Sequence, residues 1–390
     1  MLPVEVQPAQ AMEADSDEEH QSHHRIPGDD AGNGGHDGET DQSHPDTVER
    51  AEHVSRISRF RALASVDMRR ISVAMLVVVA ACSNGAAGAT STAPTTSPST
   101  TTTTTVPTTT TTQATTTTVP EEARALVTPT GVVVAVLEET TAGYRVTTPC
   151  GNEATVSDGT PVGETTVVLD PGHGGEVDTG AVGANGLMEK NLNLDVADAL
   201  QADLVVRGIP VLLTRTADYA TRLGVRADLA DRVGAVLLLS IHHNAPTPGP
   251  SPTPGTEIFI QSDSEDSRRL GGLIYTRVKA ALSEFDVDWT AAPDAGVLTV
   301  LSTRGNDAYG MLRGPNTVSV LAEIAYISNP AEAEFLATFD YLEAVSDALA
   351  DAIERYLTTE ATGAGYIAEP RVFNPQPGIG SSLCVDPRLE

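Results

Sequence analysis

Ala235-Val236-Leu237-Leu238-Leu239-Ser240-Ile241-His242-His243-Asn244-Ala245 reads as an apolar strand over 235–241 that ends in two histidines. A strand that is apolar at successive positions is buried on both faces, as in a sheet covered by helices above and below. The flanking sequence repeats this texture. Residues 166–169 and 211–214 read as further strands, and 190–206 carries Leu192, Leu194, Val196, Ala199, Leu200 and Leu204 along one helical face. A helix follows over 223–233. Downstream come a strand at 257–260, a helix at 267–282, a strand at 318–325 and a helical stretch over 331–357 with a break near Asp340. Strands that alternate with helices predict βαβ units, so residues 164–358 are expected to form a three-layer α/β/α sandwich with a mostly parallel sheet. A domain of that size buries roughly 70% of its unfolded surface and needs no staples to fold.

The rest of the chain has a different composition. Of 390 residues, 24 are Lys or Arg and 53 Asp or Glu, a formal charge of -29, which excludes nucleic acid as a partner because phosphate neutralisation needs cations. Residues 1–67 hold 15 acids, 5 bases and six of the nine histidines with few aromatics, and read as disordered. A histidine-rich metal scavenger is the functional alternative there. Met68-Arg69-Arg70, an apolar run from Ile71 to Val79 and Ala80-Ala81-Cys82 make a secretory signal over 68–82, too short to span about 30 Å of hydrocarbon. Its Val-Ala-Ala-Cys ending resembles the lipobox of bacterial lipoproteins, which implies acylation of Cys82 and a lipid anchor on the outer face of the cytoplasmic membrane. An ordinary signal cut near Ala81, with secretion, and a buried apolar helix are the alternatives. Signals sit at the start of a chain, so translation is expected to begin at Met68. Residues 83–121, uncharged before Glu121 and mostly Thr with interspersed Pro, Ser and Ala over 90–118, read as an extended stalk open to O-glycosylation. Residues 122–163 suggest a few short strands without chemistry, and 359–390 a C-terminal tail.

The three remaining histidines all fall at ends of predicted strands: His173 in Asp170-Pro171-Gly172-His173-Gly174-Gly175, and the pair His242-His243. In an open α/β sheet that edge is where reactive groups gather. Glycines around His173 permit a tight loop that turns the imidazole inward. Two carboxylates accompany them. Glu189 stands where a helix begins and can reach back to the edge, although an isolated Glu there also complements the helix dipole. Glu323 interrupts an apolar strand, where a charge is costly unless paired or bound to metal. Two His and one Glu leave a fourth zinc position for water, and a second Glu is then a general base. Successive strand residues point to opposite faces, so His242 and His243 cannot both meet one metal without a bulge.

The order Asp170-Pro171-Gly172-His173-Gly174-Gly175, Glu189-Lys190, Leu223 with Arg226, Ser240-Ile241-His242-His243-Asn244-Ala245 and Glu323 followed by Ile327-Ser328-Asn329 resembles the zinc-dependent N-acetylmuramoyl-L-alanine amidases of bacterial cell walls. The resemblance spans roughly 165–357. It implies one Zn2+ per chain on His173, Glu189 and His242, Glu323 as catalytic glutamate, and cleavage of the amide between N-acetylmuramic acid and L-alanine of the stem peptide. His243, where the family has a small residue, and Asn244 become second-shell or substrate-facing residues. Ile324-Ala325-Tyr326 replaces the usual leucine-glycine-phenylalanine, which touches substrate preference more than activity. The rival readings are another zinc hydrolase, a peptidase or deacetylase, and a non-catalytic wall-binding module that keeps zinc for structure. Some relatives carry a helix that plugs the zinc site, and neither proline-rich 245–256 nor 285–303 looks able to form one. An open site, acting as a monomer on peptidoglycan without an activator, is the expectation. With Cys82 set aside for lipid, Cys150 and Cys384 flank the domain in an exported chain and are expected to pair.

Overall fold

The computed structural model describes residues 122–375, 378 and 383–390. The expectations for 1–67, for the signal and Cys82 in 68–82, and for the stalk in 83–121 lie outside the described residues. Five short strands come first: β1 (Ala125–Val127), β2 (Val133–Thr140), β3 (Gly143–Thr147), β4 (Glu153–Val156) and β5 (Thr160–Val162). They form an antiparallel sheet in the order β4-β3-β2-β1-β5. Then follow β6 (Val167–Pro171), α1 (Glu189–Val206), β7 (Val211–Leu213), α2 (Leu223–Arg232), β8 (Leu237–Asn244), β9 (Glu257–Ile260), α3 (Glu265–Leu282) and β10 (Val297–Leu301). The chain ends with α4 (Gly310–Arg313), β11 (Val318–Tyr326), α5 (Pro330–Leu336), α6 (Phe339–Thr358) and β12 (Arg371–Val372). The main sheet has the order β12-β10-β9-β11-β8-β6-β7, and its single antiparallel junction is β11 with β9.

The apolar strands are buried on both faces, and their side chains divide by alternation. Val167, Leu169, Leu237, Leu239, Ile241, Val320 and Ala322 pack with α1, α3 and α6 in one cluster. Val168, Leu212 and Leu238 turn the other way, onto Leu229 and Ala230 of α2, Met311 of α4 and Ala125, Val133 and Ala135 of the small sheet. The second outer layer is therefore part helix and part β-sheet. The ten-residue α2 and four-residue α4 are too short to cover that face, and the segment expected only as a few short strands completes it.

Three local expectations change. The strand expected to stop at Ile241 runs to Asn244, because its backbone pairing with β11 continues through Glu323↔His242 and Tyr326↔Asn244 after the apolar pattern ends. His242 and His243 therefore lie inside a strand and not beyond it. The late helical stretch divides at Thr338, whose side chain caps α6 by accepting from the Tyr341 N–H. The tail contributes β12, which pairs with β10, a strand the sequence pattern had not marked. Among the described residues, no helix is long and apolar enough to cross a membrane.

Where β6 ends, Asp170 is buried beneath the strand edge. Its Oδ1 accepts from Thr214 Oγ1 at 2.6 Å and from Arg226 Nη1 at 2.8 Å, and its Oδ2 from Ser240 Oγ at 2.7 Å. Burial works against the carboxylate, but the Arg226 charge and these hydrogen bonds hold its pKa below the ordinary value. A depressed carboxyl pKa contributes stability above the unfolded value, near 3.9, that is lost as pH falls through the folded one. Asp170→Asn, which leaves Arg226 as a buried unpaired charge, is expected to cost about 3–5 kcal/mol in urea unfolding at pH 7. The gap from wild type should narrow below about pH 4. A variant as stable as wild type at neutral pH would contradict this reading of the pair.

Candidate active site

The turn after β6 is held by two buried arginines. Arg226, on α2, donates from Nη1 to the Pro171 carbonyl and from Nη2 to the His173 carbonyl, each at 2.8 Å. Arg215, fully buried just after β7, donates from Nε to Pro171 O at 2.9 Å and from Nη2 to Gly172 O at 3.0 Å and Lys190 O at 2.7 Å. Burial pulls its pKa down to about 10, which leaves it charged at neutral pH. Under these tethers His173 takes φ 63°, the one non-glycine positive φ among the described residues. That conformation is sterically disfavoured and persists only when the surroundings impose it. Gly172 is obligatory for another reason: a Cβ there would lie 2.2 Å from Cε1 of the His242 ring.

These constraints bring His173, Glu189 and His242 together. One ligand atom from each lies within 4.8 Å of the others. Oε1 of Glu189, the first residue of α1, is 3.1 Å from His173 Nε2 and 3.1 Å from His242 Nδ1. The two imidazoles meet edge to face, with centroids 4.9 Å apart. Glu189 is buried, yet hydrogen bonds from His173 and His242 outweigh that burial and hold its pKa well below the usual carboxylate range. His173 lies at about 10, because contacts with Asp178 and Glu189 overcome its own burial. Two nitrogens aimed at one carboxylate oxygen form a donor set that favours positive charge between them, and the mixture of imidazole and carboxylate suits zinc.

The supporting contacts orient each ligand atom. His173 Nδ1 is 2.6 Å from Asp178 Oδ1, so Nε2 is the nitrogen turned to Glu189. Glu189 Oε2 accepts from the Ala181 N–H at 2.8 Å. His243 points to the opposite face, as strand alternation requires, and is buried between α1 and α6. Burial pushes its pKa down to about 3, so the ring is neutral. Tyr341, kept protonated by burial, donates to His243 Nε2, whose Nδ1–H reaches Asn193 Oδ1 at 2.7 Å. The Asn193 amide in turn donates to Glu189 Oε1 at 3.4 Å, and the His243 backbone N–H reaches the same oxygen at 3.2 Å. A chain of hydrogen bonds thus runs from the core to the site.

Glu323 stands beside His242 in register on β11, and Glu257 stands beside Glu323 on β9. All three share the face opposite His243. Glu257 is fully engaged, by Asn244 Nδ2 at 2.6 Å and by Arg371 from β12. Glu323 is not. Among the described residues only two buried side-chain oxygens have no hydrogen-bond partner, Glu323 Oε2 and Thr221 Oγ1. Both line one cavity of about 760 Å3 with the His173 cluster. Buried polar atoms are ordinarily satisfied, so two orphans on residues lining one space are the groups there that a bound molecule would satisfy. Burial first, then repulsion from Glu189 and Glu257, raises the Glu323 pKa well above the usual carboxylate range. A second cavity, about 330 Å3 between α1 and α6, is lined by carboxylates and contains none of the histidines.

The residues singled out in the sequence are thereby sorted. His173, Glu189 and His242 converge, Glu323 adjoins them, Asn244 supports Glu257, and His243 braces the site from behind. Cys150 and Cys384 are disulfide-bonded. Sequence reasoning missed Asp178, Asn193, Glu257, Tyr341 and Arg371. Only Glu257 carried a readable signal, a charge that opens an apolar strand, the same anomaly that drew attention to Glu323.

Residues 167–355 match the family model described as N-acetylmuramoyl-L-alanine amidase. The chain is 34% identical over 210 residues to the uncharacterized protein YqiI of Bacillus subtilis, covering 53% of this chain and 90% of that one. It is 31% identical over 220 residues to N-acetylmuramoyl-L-alanine amidase AmiA of Salmonella typhimurium, covering 49% of this chain and 75% of the other. A solved structure, the amidase AmiC2 of Nostoc punctiforme, aligns at 28% identity over 50% of this chain and 98% of that chain, with a TM-score of 0.42.

His243→Ala deletes the middle of the chain that orients Glu189 without removing a converging atom. The variant should still bind a divalent cation, with affinity lowered about 10-fold to 100-fold, as read by chelator competition. Complete loss of binding would make His243 itself a ligand.

Proposed function

The chain belongs to the N-acetylmuramoyl-L-alanine amidase family, and from that premise we propose that it is a peptidoglycan hydrolase whose Zn2+ is held by His173, Glu189 and His242, with Glu323 as general base. The reaction cleaves the amide between the lactyl group of N-acetylmuramic acid and L-alanine. When bound, the ion supplies Lewis acidity, polarising the lactyl carbonyl and lowering the pKa of the attacking water. The chain's own groups do the rest. With a cation offsetting the repulsion from Glu189, Glu323 is ionised; its Oε2 takes the water proton as the oxygen adds to the carbonyl carbon, and returns it to the alanine nitrogen as the C–N bond breaks. A lactyl carboxylate and a free α-amino group are the products. Asp178 and the Tyr341–His243–Asn193 chain hold the ligand atoms in place throughout.

The observation that carries this reading is the partnerless Glu323 Oε2, in register with His242 at the rim of the convergent set. A module that kept a cation for structure alone would have no use for that costly carboxylate, and Glu257, already paired, cannot serve in its place. A peptidase or deacetylase would share the site but not the family. We further propose export through the 68–82 signal with lipidation at Cys82, and action as a monomer at the cell envelope. Neither 245–256 nor 285–303 contains a helix, and the cavity is open, which supports activity without an activator.

Chelation of the full chain is expected to abolish release of stem peptides from purified sacculi, and added zinc to restore it. Glu323→Gln should retain about one zinc per chain while losing at least roughly 100-fold in rate. Loss of zinc together with activity would make Glu323 a ligand. Full activity in metal-free protein would defeat the mechanism.

A further inference from the structure

Beyond residue 355, where the match to the amidase family model stops, the chain returns to the cavity. Arg371 and Phe373 line it beside β12, and Leu383 lines it next to the disulfide-bonded Cys384. Its described residues are held at two places. At one, Val372 pairs with Leu301, the Phe373 N–H donates to Leu301 O at 2.9 Å, and Asn374 Oδ1 accepts from the Thr303 N–H at 3.1 Å. At the other, the disulfide joins the small sheet, and Asp386 accepts from the Cys150 N–H, Thr148 Oγ1 and Asn152 Nδ2, each at 2.8 Å.

The segment adds an aromatic wall. Phe373 is 49% exposed, and its ring lies 6.5 Å from that of Tyr309, which stacks on the buried Phe259 at 5.0 Å and 19°. The charges of the cavity narrow what such a wall can hold. Its two arginines are already paired, Arg226 with Asp170 and Arg371 with Glu257 and Asp294. A stem peptide with free carboxylates finds no unpaired arginine or lysine among these lining residues. A neutral pyranose ring presents an apolar C–H face to an aromatic ring and needs none.

We propose that Tyr309 and Phe373 form a subsite for a neutral N-acetylated sugar ring of the glycan strand, with Phe373 held there by the pairing of β12 with β10. This rests on the amidase reading and adds a specificity-determining element of which Tyr309 lies inside the matched residues 167–355 and Phe373 beyond them. The test is titration of the full, zinc-loaded chain with the neutral tetramer of N-acetylglucosamine, together with kinetics on disaccharide muropeptides. Wild type should bind the tetramer saturably. Phe373→Ala should weaken binding roughly threefold to tenfold and raise KM by a similar factor, with kcat changed less than about twofold. Phe373→Trp should keep the affinity. Tetramer affinity and KM equal to wild type in Phe373→Ala would overturn the subsite, as would no saturable binding to wild type. Failure of wild type to release stem peptide would instead defeat the amidase reading and leave the tetramer result standing.

Discussion

The buried pair of Asp170 and Arg226 is the contact on which the site depends. Asp170 is 1% exposed and Arg226 2%, so the pair sits in a medium where an unpartnered charge costs several kcal/mol. What makes it more than a local contact is the rest of the guanidinium. Besides the bond to Asp170, Arg226 donates to the carbonyls of Thr221, Pro171 and His173. Three strands and a helix meet there, since Thr214 follows β7, Ser240 lies on β8 and both reach the same carboxylate. The imidazole of His173 faces Glu189 because its own carbonyl is held in place, and the disfavoured φ of that residue is offset by these bonds.

A second constraint is register. Because β8, β11 and β9 are neighbours, one transverse row of the sheet carries His242, Glu323 and Glu257 on the same face. Shifting any strand by one residue would turn its member to the helical side, where His243 already sits neutral among Asn193 and Tyr341. Placing a base next to a metal ligand is thus a property of strand pairing. Glu257 occupies the third place in the row but is neutralised by Arg371, so the repulsion it exerts on Glu323 is tempered by a residue from the C-terminal segment.

Much of this was legible in the sequence. The double-sided apolar run at 235–241 implied a covered sheet, and the confinement of three histidines to strand ends implied a site at that edge. Choosing His242 over His243 needed more, because alternation separates the two rings without saying which one faces the carboxylate. Other features left no pattern to read. Asp178 lies in a loop with no periodicity, and Asn193 and Tyr341 are polar residues on otherwise apolar helical faces, whose partners are distant in sequence. The short β12 has two residues, below any periodic signal, and its place in the sheet is decided by pairing with β10. The tail read as an appendage because cysteine spacing suggested a tether but nothing about what the tethered segment would face.

The central claim is that a single cation binds between His173, Glu189 and His242 while Glu323 remains free of it. Anomalous diffraction at the zinc edge from crystals of the zinc-loaded protein tests this most directly. One peak per chain is expected, within about 2.0–2.2 Å of two imidazole nitrogens and a Glu189 oxygen, with no carboxylate oxygen of Glu323 at that range. A peak bound by Glu323 or His243, or none at the three converging atoms, would contradict it.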